Sequence, residues 1–354
     1  MHKIAIILDR LKNIHSGLGQ VSLNFGKAIT KQTSAEIAIN VLVPKTQKHL
    51  FDDYDKVEVI NFFRKNKIHL FAKKYDLWHL LHQAGGMEPP QNSKFIFTIH
   101  DLNFLHEGHD EAGVSKFKED LSRKISNASY LTYISNFTKK EVENFFPIAK
   151  NKASKVVYNG VKVQKKEFHR PQRLPEGKFL FTIGQLHAKK NFHTLIPFLQ
   201  KTDQYHLVIA GEQQGAYAEK IQQMIKSYGL EDRVSLLGAV TEYEKSYLYK
   251  YCTAFLFPSL LEGFGLPIIE ALHFNKPVFA SNKTSLPEVG GDFTYYWDSF
   301  DPEEMIKVFE NGMADHAQRE EHHEQSLQVF LEKYNWQRNA QTYFTIYKEL
   351  LNEQ

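Results

Sequence analysis

Glu262 and Glu270, with seven residues between them, flank a short glycine-rich stretch, Gly263-Phe264-Gly265-Leu266. Carboxylates placed this way accept hydrogen bonds from hydroxyl groups or work as an acid and base. Glycines beside them let backbone N–H groups come close to a ligand. Some 70 residues upstream, Lys189 and Lys190 follow Gly184 in Gly184-Gln185-Leu186-His187-Ala188-Lys189-Lys190-Asn191, and their charge would offset negative charge on a phosphate leaving group. The glycine loop and the helix start after it suit a phosphate, and both carboxylates could face one pocket above the strand ends. Each also has a structural explanation. Glycine turns are common in α/β folds, and Glu270, read as lying in the first turn of a helix, would stabilise that helix through its dipole. Lysines are ordinarily solvated.

The elements that must position these residues can be read from apolar runs. Ala254 to Phe257 reads as a buried strand stopped by Pro258 and Ser259. Pro267 reads as the first residue of a helix continuing from Ile268 to Phe274, Asn275 as its left-handed end, and Pro277 to Ala280 as the next strand. Phe179 to Ile183 is a strand feeding the Gly184 loop. Nearer the N-terminus, Ile4 to Leu8 is a central strand, followed by a glycine loop over Asn13 to Gln20 with Gly17 and Gly19, then a helix from Val21. It lacks the Gly-x-Gly-x-x-Gly order and the acidic residue of a dinucleotide site. Strands are further expected at Ile39 to Val43, Leu77 to Leu81, Phe95 to Ile99, Tyr130 to Ser135, His206 to Ala210 and Val234 to Gly238. The Phe95 strand ends at His100-Asp101, on the edge where open parallel sheets bind ligands. This alternation predicts an α/β protein with two Rossmann-like doubly wound domains.

Glu-Gly-Phe-Gly-Leu-Pro (262–267), Glu-Ala-Leu (270–272), Pro-Val-Phe-Ala-Ser (277–281) and Leu-Pro-Glu-Val-Gly-Gly-Asp (286–292) together resemble the donor-site signature of the retaining family-four glycosyltransferases of the GT-B fold. The resemblance covers most of the chain and is strongest over residues 179–298. It implies an N-terminal acceptor-side domain (1–165), a nucleotide-sugar-binding domain (166–335) and a last helix (336–354) that packs back on the first domain. It further implies a nucleotide-sugar donor held by Gly184, Lys189, Lys190, Gly263, Phe264, Gly265, Leu266 and Glu270, with Gly17 and Gly19 facing the cleft between domains. Catalytic roles fall to His100, Lys190 and Glu262. His100 would orient sugar hydroxyls, Lys190 would stabilise the leaving diphosphate, Glu262 would accept from donor-sugar hydroxyls and Glu270 from the ribose. The family usually has an arginine where this chain has Gln185. The tail at 286–292 is most similar to mannosyl- and related hexosyltransferases of bacterial surface polysaccharide (lipopolysaccharide) assembly, which implies a GDP- or UDP-sugar donor and a glycan or lipid-linked glycan acceptor. No cofactor or metal is expected.

Composition bounds the alternatives. At 354 residues the chain exceeds one usual core. With 42% hydrophobic and 24% charged residues it is an ordinary globular chain, and a net charge of +3 gives no footprint for nucleic acid. The single cysteine, Cys252, excludes an intramolecular disulfide and reads as a buried small residue. A cytoplasmic location is expected, with peripheral contact at the inner membrane face as a further candidate. Residues 62–74 interleave basic and apolar side chains, which suits an anionic membrane surface or an ordinary amphipathic helix. Asp53 and Asp55 form an Asp-x-Asp within a polar turn, and His316, Glu320, His322 and His323 form a polar helical run; neither makes an ordered metal set. Beside the transferase stand a sugar-nucleotide epimerase of the same fold, a phosphorylase with lysine-bound pyridoxal cofactor, and a non-catalytic sugar-nucleotide-binding module.

Overall fold

The computed structural model of the protein describes residues 1–14, 16–60, 74–319 and 321–352. The chain divides into two compact units, one made of residues 1–160 with 333–354 and the other of residues 161–332. The basic and apolar stretch 62–74 lies outside the described residues except for Lys74, whose Nζ pairs with Glu58 at 2.5 Å.

In the first unit seven strands form one parallel sheet: β1 (His2–Ile7), β2 (Ile37–Pro44), β3 (Val57–Ile60), β4 (Leu77–Leu80), β5 (Phe95–Ile99), β6 (Tyr130–Tyr133) and β7 (Ser154–Val156). Their order is β3-β2-β1-β4-β5-β6-β7. The central strands are apolar throughout because helices cover both faces, and β4 and β5 are buried at every residue. The order reverses between β1 and β4, and loops leaving the carboxyl ends of such strands diverge and open a crevice.

Helix Trp336–Asn352 completes this unit. It buries Tyr343 and Tyr347 against the sheet, where their hydroxyls need partners. His79 on β4 supplies one, with Nδ1 2.7 Å from the Tyr347 hydroxyl and Nε2 2.8 Å from Thr98 Oγ1 on β5. Thr98 Oγ1 lies 2.7 Å from Thr132 Oγ1 on β6, and the Tyr343 hydroxyl lies 3.2 Å from Thr132 Oγ1. One buried polar chain thus ties the helix to three adjacent strands. Gly160 is obligatory where the helix begins, since a Cβ there would stand 2.4 Å from the Trp336 backbone nitrogen.

The second unit holds a six-stranded parallel sheet: β8 (Phe179–Ile183), β9 (His206–Ala210), β10 (Val234–Gly238), β11 (Ala254–Phe257), β12 (Val278–Ser281) and β13 (Tyr295–Trp297). Its order is β10-β9-β8-β11-β12-β13, reversing between β8 and β11. Two parallel Rossmann-like sheets are the α/β architecture read from the sequence. Cys252 is buried, 1% exposed, as its apolar neighbours predict.

Two local readings are corrected. Gly17 and Gly19 do not form a loop: helix Gly17–Ile29 begins at Gly17, capped by Ser16, whose hydroxyl accepts from the Gly19 amide at 3.1 Å. Glycine is required at position 19 because a Cβ would meet the Asn13 carbonyl oxygen at 2.0 Å. The helix after the Gly263–Gly265 turn starts at Leu266, one residue before Pro267, and ends at Leu272. Gly265, with φ of 110°, turns the chain into it. Glu270 is therefore its fifth residue, beyond the first turn, and gains nothing from the helix dipole.

Candidate functional site

In the second unit the loops after β8 and β11 leave adjacent strands at the reversal point, so their side chains meet. Lys190 Nζ lies 2.5 Å from Glu262 Oε1, and both side chains are about five-sixths buried, at 15% and 16% exposure. The ammonium also stands 5.1 Å from the Phe257 ring centroid, a cation–π distance. Ser259 Oγ donates to the same Glu262 oxygen at 2.7 Å. The Lys189 carbonyl accepts from the Leu260 amide at 2.7 Å and lies 3.2 Å from Ser259 Oγ, which clasps the two loops together. Gly184 opens the first loop with φ of 154°, and a Cβ there would press on Lys190 Cε at 3.2 Å.

The 284–285 segment holds the second loop from below. Ser285 Oγ reaches the Glu262 carbonyl at 3.0 Å and the Phe264 carbonyl at 2.8 Å. Thr284 accepts from the Glu262 amide at 3.3 Å through Oγ1 while its backbone sits in the left-handed region, φ 54°. A β-branched residue there is strained, and the surrounding bonds must hold it. Phe264 is buried, anchoring the loop. Gln185 Nε2 donates to Glu212 Oε2 at 3.3 Å, which ties the loop after β8 to the one after β9.

Glu270 belongs to a separate network. Lys245 Nζ donates to its Oε1 at 2.9 Å and the Tyr249 hydroxyl to its Oε2 at 2.8 Å. Lys245 also pairs with Glu242 at 3.0 Å. The two glutamates thus have different partners, and Lys190 is the cation on Glu262 alone of the pair. Ser259, Lys245, Tyr249, Thr284 and Ser285 escaped the sequence reading. The one available signal was the spacing of Lys245 and Tyr249, four residues apart on the helix that precedes β11.

In the first unit, the loops after β1, β4 and β5 converge in the same manner. The Arg10 guanidinium donates to the Ala84 carbonyl, and the Gly86 amide donates to Asp9 Oδ2 at 2.6 Å. His100 follows β5 and is buried, 3% exposed. Its Nε2 lies 2.8 Å from the Leu81 carbonyl, which can only accept, so the proton is on Nε2 and Nδ1 is an acceptor. Burial, with Arg10 nearby, pushes the His100 pKa down to about 4. It is a neutral hydrogen-bonding group at pH 7. His82, missed by sequence, stacks obliquely on His100 with centroids 5.0 Å apart, and its Nδ1 accepts from the Ala84 amide at 2.9 Å. Its buried Nε2 has no partner among the described residues.

These histidines fix a pH dependence. Burial depresses His79 to about 3, and it depresses His82 well below its ordinary value with help from His100. In the unfolded chain each titrates near 6.5. The unfolded state therefore binds more protons below that value, so their contribution is complete above about pH 6.5 and declines as pH falls toward about 3. Urea midpoints measured from pH 7 to pH 5 should fall, and His100→Gln should make the decline shallower. An equal slope in the variant would mean His100 is not buried neutral.

Among the described residues no group of three or more metal-ligating side chains is arranged to hold an ion, and Glu320 of the histidine-rich run lies outside them. No helix of the described chain is long and apolar enough to cross a membrane.

Residues 164–328 match the family model described as Glycosyl transferases group 1. The chain is 26% identical over 314 residues to the serotype-specific mannosyltransferase WbdA of Escherichia coli, covering 83% of this chain and 36% of that protein. It is also 26% identical over 257 residues to the O-antigen chain mannosyltransferase B of Escherichia coli, covering 68% of this chain and 67% of that one. The chain thus spans about a third of the length of the first of these relatives. Among solved structures, Anabaena HepE in complex with UDP and glucose superposes with a TM-score of 0.74 at 17% identity, covering 99% of this chain and 100% of that one. The chain therefore resembles group 1 glycosyltransferases over residues 164–328 and shares the two-sheet fold of the solved glycosyltransferase structures. The matched segment, residues 164–328, contains Lys190, Glu262 and Glu270.

Proposed function

We propose that the protein transfers a hexose, mannose foremost, from a GDP- or UDP-sugar to a glycan or lipid-linked glycan acceptor, retaining the anomeric configuration and using no metal. The observation that carries this reading is the Lys190–Glu262 pair at the carboxyl ends of β8 and β11, inside the group 1 domain. The named activities of the mannosyltransferase relatives favour mannose.

In the proposed reaction the bond from the anomeric carbon to the diphosphate oxygen breaks first. Positive charge grows on the sugar and negative charge on the diphosphate. Lys190 stabilises the latter, with the backbone N–H groups at Gly265 and Leu266 as additional donors. Glu262 accepts from donor-sugar hydroxyls and keeps Lys190 oriented between turnovers; Glu270 accepts from the ribose. The acceptor hydroxyl attacks from the leaving-group face and passes its proton to the departing phosphate oxygen, which preserves the anomeric configuration. In the first unit His100 offers Nδ1 to a substrate hydroxyl; with a pKa near 4 it is too weak a base to be needed for that proton.

The test is NMR of GDP-mannose and UDP-hexoses incubated with the protein in EDTA. The expected result is slow release of free hexose, first as the anomer present in the donor, accelerated into transfer when an acceptor glycan is supplied. An isomerised sugar nucleotide would assign an epimerase, and binding without turnover a sensing module. Loss of activity in EDTA, restored by manganese, would assign a metal enzyme.

A further inference from the structure

We propose that Lys245 and Tyr249 set the nucleotide specificity of this site by fixing the Glu270 carboxylate to receive a pair of adjacent hydroxyls, a role that rests on Glu270 being the ribose ligand. An ionised carboxylate has about two acceptor positions on each oxygen. Lys245 occupies one on Oε1 and Tyr249 one on Oε2. One position per oxygen is left, the pattern a vicinal 2′,3′-diol satisfies and a 2′-deoxyribose does not.

The two donors form a rigid unit. They sit four residues apart on helix Glu242–Tyr251, one turn apart on one face. Thr241 and Glu244 close a capping box at its start. Tyr249 is wedged edge-on against Phe181, centroids 5.1 Å apart, and tilted against Phe255 at 5.2 Å. Lys245 is anchored a second time by Glu242. Glu270 itself, 14% exposed, is therefore held in one orientation from both oxygens before any ligand arrives.

Both donors keep their protons. Burial works against the Lys245 charge, but Glu270 and Glu242 together raise its pKa above that of an ordinary lysine. Burial and then Glu270 push the Tyr249 hydroxyl well above its usual range. Both therefore donate to the carboxylate across neutral pH, and a nucleotide lacking one hydroxyl leaves an acceptor position unmet in a largely desolvated place.

Dissociation constants of UDP against 2′-deoxy-UDP, and of GDP against 2′-deoxy-GDP, for the full chain and for Lys245→Met, Tyr249→Phe and Glu270→Gln test this. The wild type should favour the ribonucleotide by about ten- to a hundredfold. Each of Lys245→Met and Tyr249→Phe should shrink that ratio to below about threefold, with deoxynucleotide affinity little changed. A structural role alone would weaken both nucleotides in parallel and leave the ratio intact, which overturns the proposal. If Glu270→Gln abolishes the ratio while the other two variants keep it, Glu270 is the ribose ligand and Lys245 and Tyr249 do not position it. If Glu270→Gln keeps the ratio, or the wild type has none, the ribose assignment itself fails.

Discussion

Replacing Lys190 with methionine is expected to lower kcat about 10²- to 10³-fold, the effect of removing a charged donor from a developing leaving-group anion. Its ammonium is already poised: 2.5 Å from Glu262 and held over the Phe257 ring, it has little orientation left to lose when a diphosphate arrives. Methionine keeps the stem that packs under Gly184 and deletes only the charge. Stability should fall by about 2 kcal/mol, between the values for exposed and fully buried pairs, because Ser259 still donates to Glu262. Steady-state kinetics beside a urea titration separate the two effects. A kcat within about threefold of wild type would remove Lys190 from the chemistry.

Gly211→Ala should be the most damaging conservative substitution in the second unit. Its φ of 137° suits glycine alone, and an added Cβ would fall 1.9 Å from the Gly184 carbonyl oxygen. That oxygen belongs to the turn that launches the Lys190 loop, and backbone cannot step aside as a side-chain end could. A loss of more than about 3 kcal/mol is expected. Gly229→Ala provides the contrast, since φ is 63° there but nothing lies within 4 Å of the new Cβ. It should cost about 1–2 kcal/mol, the left-handed backbone penalty alone. Urea midpoints of the two variants check the ordering; equal losses would mean the Gly184 turn yields easily.

The contrast between these glycines shows what a sequence carries and what it hides. The strands were readable because central parallel strands are buried on both faces, so Phe179 to Ile183 and Ala254 to Phe257 appear as unbroken apolar runs. Lys190 and Glu262 could be singled out since each follows such a run beside a glycine. Helix starts were less legible. Gly17 and Gly19 read as loop residues because glycine weakens helices, yet the close approach of Asn13 demands glycine inside the first turn. Pro267 looked like the first helical residue, whereas the helix begins at Leu266 after the left-handed turn at Gly265, which moves Glu270 from the fourth helical position to the fifth. Lys245 and Tyr249 carried only their four-residue spacing as a signal, for a different reason. A lysine on an amphipathic helix ordinarily points to water, and only the packing of that helix against the next reveals its carboxylate partner.

The return of helix Trp336–Asn352 to the first sheet has a temporal consequence. Residues 161–332 form their unit from one uninterrupted stretch, while the first unit is split around it. During synthesis His79, Thr98 and Thr132 are made long before Tyr343 and Tyr347, the hydroxyls that complete their hydrogen bonding. Until then the face that this helix will cover must stay hydrated or be shielded by other molecules, because buried polar groups without partners are costly. The usual order, in which the N-terminal domain of a nascent chain finishes first, is thereby inverted. The second unit can mature while the first is still waiting for helix Trp336–Asn352 to leave the ribosome.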